Sequence, residues 1–175
     1  MSGLTPFLYA KGAKIYGLYN CTNSPPIDVM ECFALHNGVK SPPVQHLLNK
    51  WDYLIATHGF REKFLETCHS GGADILKNAL LASPKSVQQR IIALAINPSV
   101  IIPNELCFRS YNYVSRRDFV TRLDILGNLK YGSEVIVLEP HPNAKLHDHE
   151  FSSPTFDDIK EFHINDYLKN YGGEK

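Results

Sequence analysis

Residues Cys68-His69-Ser70-Gly71-Gly72 set a hydroxyl between a run that reads as a strand and one that reads as a helix. A serine at such a junction becomes an exposed nucleophile if the chain turns sharply there. That turn needs small residues two positions to either side of the serine and a free N–H just after it. Gly71 and Gly72 meet the requirements on one side. The pattern G-x-S-x-G is broken once, because Cys68 stands at its first glycine. Cysteine is small, so the pattern is degraded rather than lost. The competing reading is a glycine-rich helix start that only packs, or that holds an anion on its N–H groups.

A serine hydroxyl is a weak nucleophile unless an imidazole takes its proton and a carboxylate fixes the tautomer of that imidazole. The order serine, acid, histidine along a chain directs attention to 115–120, where Asp118 is the sole carboxylate. It then points to loop 141–151, which carries His141, His147 and His149. His149 is the expected base because it stands directly before the last helical run, and His147 is its rival. Asp124 is the second candidate for the acid. Taken alone, Asp118 reads as a solvated loop residue paired with Arg116 or Arg117, and His69 reads as structural, directed elsewhere by the turn. The developing oxyanion needs two N–H donors, expected from Gly71 and from Cys21 or Thr22. A metal reading uses His141, His147, Asp148 and His149 as nitrogen and oxygen ligands, but their spacing fits no metal signature.

These residues need a scaffold. A β-prone run at 14–20 ends at Thr22-Asn23-Ser24-Pro25-Pro26, and Ile27, Met30 and Phe33 follow at helical spacing before Gly38. Ser41-Pro42-Pro43 starts a second helix, with Val44, Leu47, Leu48, Trp51 and Ile55 on one apolar face. The strand at 63–68 is unusually polar because of Lys63 and Glu66. After the turn, Ile75, Leu76, Ala79 and Leu80 point inward on a helix whose outer side holds Asp74, Lys77 and Asn78. The apolar run 90–96 reads as a strand covered on both faces. Further strands are expected at 107–114 and 134–138, and a last helix carries Phe156, Ile159 and Phe162. Strands alternating with helices predict an α/β fold, a compact three-layer α/β/α arrangement with a mostly parallel sheet of about five to six strands. Reactive loops then gather beyond the carboxyl ends of the strands. The apolar run from Pro98 to Pro103 either borders an acyl site or covers the sheet.

The 175 residues fit a single domain, residues 1–175, with flexible ends expected at 1–13 and 169–175. Eighteen basic side chains balance eighteen acidic ones, which leaves no field for a nucleic acid backbone. The first residues lack the pattern of a secretory signal, and no apolar run is long enough to span a bilayer. Cys21, Cys32, Cys68 and Cys107 are scattered singly, so reduced thiols are expected. The cytoplasm is the default compartment, with signal-independent export left open.

The run from Cys68-His69-Ser70-Gly71-Gly72 through Asn78-Ala79-Leu80 to Asn97-Pro98, then Tyr111-Asn112-Tyr113 with Asp118, and finally Asp148-His149-Glu150-Phe151, resembles bacterial proteins of the α/β-hydrolase superfamily with lipase-like elbows. It is similar in particular to a chlamydial domain-of-unknown-function family. The resemblance spans roughly residues 14–168. Lipase-like members show G-H-S-x-G-G; His69, Ser70 and Gly72 match, and Cys68 replaces the leading glycine. The resemblance implies an α/β-hydrolase-like fold with Ser70 as nucleophile, Asp118 as acid and His149 as base. It implies a serine hydrolase that cleaves a carboxylic ester or thioester on a small-molecule or lipid-like substrate, with no cofactor. The alternative is a non-catalytic interaction or effector protein on the same scaffold, with a protein partner.

Overall fold

The computed structural model describes residues 41–59 and 61–171. The expected strand at 14–20, the helix after Pro26, and Cys21 and Thr22 lie outside these residues. Helix α1, Pro42–His58, starts where the two prolines occupy the first helical positions, which lack intrahelical acceptors for an N–H in any case. Its buried face is Val44, Leu47, Trp51, Leu54 and Ile55, and it stops at Gly59, whose φ of 77° suits glycine. Strand β1, Phe64–Ser70, leads with one intervening residue into α2, Gly72–Ala82. The short α3, Lys85–Gln88, precedes β2, Ile91–Pro98, and β3 covers Arg109–Ser115. Helix α4, Ile125–Tyr131, β4, Val135–Leu138, and α5, Asp157–Asn170, complete the order.

The sheet order is β1-β2-β3-β4, and every neighbouring pair is parallel. The α/β class therefore holds, with four strands among the described residues rather than five to six. β2 is buried along all eight residues, and the two-residue period of a strand divides it between two cores. Ile91, Ala93 and Ala95 pack with α1 and α2, where the small Ala73 and Ala79 let helix and sheet approach. Leu94 and Ile96 face the other way, against Tyr113, Phe156 and, on α5, Ile159. Helices thus cover both faces. No helix among the described residues is long and apolar enough to cross a membrane.

Several polar residues depart from the expected pattern, each for a local reason. Glu66 sits within β1 because Trp51 Nε1–H donates to its Oε1 at 2.7 Å. Burial pushes the Glu66 carboxyl above its usual range, partly offset by that bond. Asp74, expected on the outer side of α2, is 2% exposed and accepts the Ser99 hydroxyl. There it stands in the first turn, where a carboxylate also meets the positive end of the helix dipole. Val100, Ile101 and Ile102 are buried, so this run closes the core. Phe162, expected inward on α5, is exposed, and Phe156 just before the helix fills the core instead. α5 continues through Asn170, into the stretch read as a flexible end.

The load on the α2 interface gives a direct expectation. Leu80 is fully buried, so Leu80→Ala should lower the unfolding free energy by about 2–5 kcal/mol through lost transfer energy and a residual cavity. Urea denaturation measures it, and a loss below about 1 kcal/mol would contradict this packing.

Candidate active site

β1 passes into α2 through Ser70, the last strand residue, and Gly71, the helix N-cap. Ser70 has φ 50°, in the left-handed region that costs a non-glycine residue about 1–3 kcal/mol and persists only where surroundings enforce it. Pairing is regular up to His69 opposite Ile96, then slips so that Ser70 lies opposite Pro98. The Ser70 carbonyl accepts from the Ser99 N–H at 3.2 Å and lies 2.9 Å from the Ser99 hydroxyl. A methyl group at Gly72 would stand 3.6 Å from Cys68 Cβ, an ordinary van der Waals contact. Cys68 therefore fits this turn without crowding the helix. Burial, reinforced by the Glu66 and Asp74 carboxylates, pushes the Cys68 thiol far above its usual range. Held in its thiol form, Cys68 is a poor nucleophile.

The structure brings Ser70, His149 and Asp118 into one chain of hydrogen bonds. Ser70 Oγ lies 3.0 Å from His149 Nε2, and His149 Nδ1 lies 3.0 Å from Asp118 Oδ2. A carboxylate only accepts, so the proton between the latter pair belongs to Nδ1. Nε2 is then free to accept from the serine hydroxyl. The Asp118 side chain is fully buried, while that of His149 keeps 29% exposure. Asp118 Oδ1 also accepts the Val120 N–H at 3.1 Å, and its own N–H donates to the Ser115 carbonyl at 2.9 Å. Asp118 is therefore not the solvated ion-pair residue that it suggests in isolation; Arg116 pairs with Glu139 instead, at 2.6 Å.

The rival residues have other partners. Asp124 Oδ1 caps α4 through the Gly127 N–H, and its Oδ2 accepts the Ile101 N–H, both at 2.9 Å. His147 is exposed, with its ring edge-on to Phe119 at 6.2 Å between centroids. His141 Nδ1 accepts the Asn143 N–H at 3.1 Å. No group of three or more His, Cys, Asp or Glu side chains among the described residues converges as a metal site. Gly71, proposed for the oxyanion, lies at the start of α2, where N–H groups lack intrahelical acceptors and the dipole favours negative charge.

His149 is held by its neighbour Asp148 and by residues distant in the sequence. Asp148 has φ 36° and is 1% exposed. Its carboxylate accepts the hydroxyls of Ser115 at 2.5 Å, Thr155 at 2.7 Å, and Ser153. Its carbonyl accepts Asn97 Nδ2–H at 2.7 Å, while Asn97 Oδ1 accepts the Ser115 N–H at 2.9 Å. Asn97, at φ 43°, is also fully buried. His69 Nε2 lies 2.5 Å from the His149 carbonyl, and because a carbonyl only accepts, this nitrogen carries the proton. Its ring lies 4.8 Å from that of His149 and 6.0 Å from Phe151. His69 is thus directed at the site rather than away from it. The only sequence hints were Asn97-Pro98 at the end of a buried strand and the hydroxyl-rich Ser152-Ser153-Pro154-Thr155.

Burial lowers the basicity of His69, and the bond to the His149 carbonyl only partly restores it. Relative to the unfolded chain, where an imidazole titrates near ~6.5, the folded protein binds fewer protons as the pH falls. The stability contribution of neutral His69 is therefore complete above that value and is lost below it. His69→Gln keeps an N–H donor without a titrating ring, so its urea midpoint should fall less than the wild-type midpoint between about pH 7.5 and pH 5. Equal falls would contradict the buried, neutral His69.

Comparison of the chain with protein-family models, with curated proteins and with solved structures finds no match.

Proposed function

We propose that the chain is a serine hydrolase of the α/β-hydrolase type, cleaving a carboxylic ester or thioester through an acyl-enzyme on Ser70. The observation that carries this reading is the continuous relay from Ser70 Oγ to His149 Nε2 and from His149 Nδ1 to Asp118 Oδ2, each at 3.0 Å, starting from a serine held at φ 50°. Its placement supports the same reading. Serine ends β1, the acid follows β3 and the histidine follows β4, all beyond the carboxyl ends of parallel strands, where α/β proteins gather reactive groups. The sequence resemblance to lipase-like elbows points the same way.

In this mechanism Ser70 Oγ attacks the substrate carbonyl as His149 Nε2 takes its proton. Asp118 stabilises the imidazolium and keeps Nδ1 as the donor. The negative charge on the former carbonyl oxygen is met by the Gly71 N–H. Collapse of the intermediate expels the alcohol or thiol, which receives the proton from Nε2. Water then gives a proton to the same nitrogen and attacks the acyl carbon, releasing the acid and restoring Ser70. The alternative, a non-catalytic scaffold, is motivated by the departure at Cys68 and by the lack of a segment that reads as a substantial lid or cap; a Cβ placed at Gly72 would stand 3.6 Å from Cys68 Cβ, so crowding of the turn does not add to that case.

A fluorophosphonate should label the purified protein, and Ser70→Ala should abolish labelling. Asp118→Asn should keep the fold but lower kcat by about 10⁴-fold by favouring the wrong tautomer. Equal labelling of Ser70→Ala would defeat the proposal.

A further inference from the structure

Segment 116–130, which carries Asp118, is built inside out. Asp118, Thr121, Asp124 and Gly127, three residues apart, are buried, whereas Phe119, Leu123, Ile125, Leu126 and Leu129 are 55% to 81% exposed. The inward side is fastened by polar bonds. Thr121 Oγ1 donates to the Pro98 carbonyl at 2.5 Å, Asp124 Oδ2 accepts the Ile101 N–H at 2.9 Å, and Asp118 holds His149. Turning the leucines inward would break all three attachments, so outward apolar side chains are a condition of placing the acid. The patch extends to the histidine loop, where Phe119 meets His147 and the neighbouring Leu146 is 78% exposed. An exposed apolar patch of this kind marks an interaction surface.

Charge selects the occupant. Both acids of the segment are buried, and its exposed charged side chains, Arg116, Arg117, Arg122 and Lys130, are all cationic. Arg116 pairs with Glu139 and Lys130 with Glu105. Arg117 and Arg122 have no ion-pair partner among the described residues. Aliphatic side chains among cations are the chemistry of a face that inserts at an anionic lipid interface. A second copy packed on the same face would bring like charges together. We propose that segment 116–130 seats the protein on an anionic lipid surface and so presents lipid-borne esters to Ser70. The seating stands on this surface alone; the delivery of esters rests on the hydrolase reading.

The full chain carrying Ser70→Ala, which separates seating from turnover, is sedimented with phosphatidylcholine vesicles with and without phosphatidylglycerol. Binding should require phosphatidylglycerol and weaken with salt. It should fall by at least about tenfold in the double variant Leu126→Asp/Leu129→Asp and in Arg117→Glu/Arg122→Glu. Both pairs are exposed, and circular dichroism verifies the fold. Absence of binding, or binding indifferent to these substitutions, overturns the proposal. So does a stable dimer that the leucine substitutions dissolve, since it would assign the face to a second copy. With Ser70 intact, the leucine variant should lose more activity on a vesicle-borne ester than on a short ester in solution. Vesicle binding without hydrolysis of either ester would leave the seating intact and remove the hydrolase reading.

Discussion

The buried carboxylate of Asp148 fixes the place of the histidine that follows it. Hydroxyls from the end of β3, Ser115, and from the entry to α5, Ser153 and Thr155, converge on it, while Asn97 from the end of β2 holds its carbonyl. A bare carboxylate at 1% exposure would be expensive, and hydrogen bonds to a charged group offset that cost by about 1.5–3 kcal/mol each. The connection from β4 to α5 contains little regular structure beyond a single 3₁₀ turn, so periodic backbone bonding cannot position His149. The Asp148 network does so from one side, and His69, on the His149 carbonyl, from another. The two 3.0 Å contacts of the His149 ring follow from where its backbone is pinned.

Strain is concentrated at the same edge of the sheet. Ser70, Asn97 and Asp148 are the non-glycine residues with positive φ among those described, and each belongs to the relay or to its support. Such conformations persist where surrounding structure over-determines them. At Ser70 the Ser99 N–H holds the carbonyl and α2 is seated on the apolar core; at Asn97 and Asp148 the buried amide and carboxylate bind each other's surroundings. The doubly buried β2 supplies the rigid base from which this strain is maintained. Its two faces tie α1 and α2 to one core and α5 to the other.

Much of this frame was legible in sequence because it depends on local pattern. Prolines after Ser41 and the apolar face from Val44 to Ile55 gave α1, and the unbroken apolar run gave β2. Chain order and strand ends singled out Ser70, Asp118 and His149, which the structure brings together. What escaped was polar burial satisfied at long range. Trp51 meets Glu66 across 15 residues, Asn97 meets Asp148 across 51, and His69 meets His149 across 80. Periodicity counts a charged or amide residue as outward and carries no trace of a distant partner, which is why the sequence pattern puts Asp74 on the outer side of α2 although it is buried. The structural reading of His69 stands, but its expected direction does not, for a related reason. Strand alternation sends Cys68 toward α2 and therefore His69 toward the opposite face, where Phe151 and the histidine loop pack.

The claim that this geometry is catalytic is tested most directly by a crystal structure of the protein after reaction with a phosphonate ester. Phosphorus should be bonded to Ser70 Oγ, with a phosphoryl oxygen within hydrogen-bond reach of the Gly71 N–H and His149 still bridging to Asp118. An unmodified Ser70, or an adduct on another residue, would contradict the account.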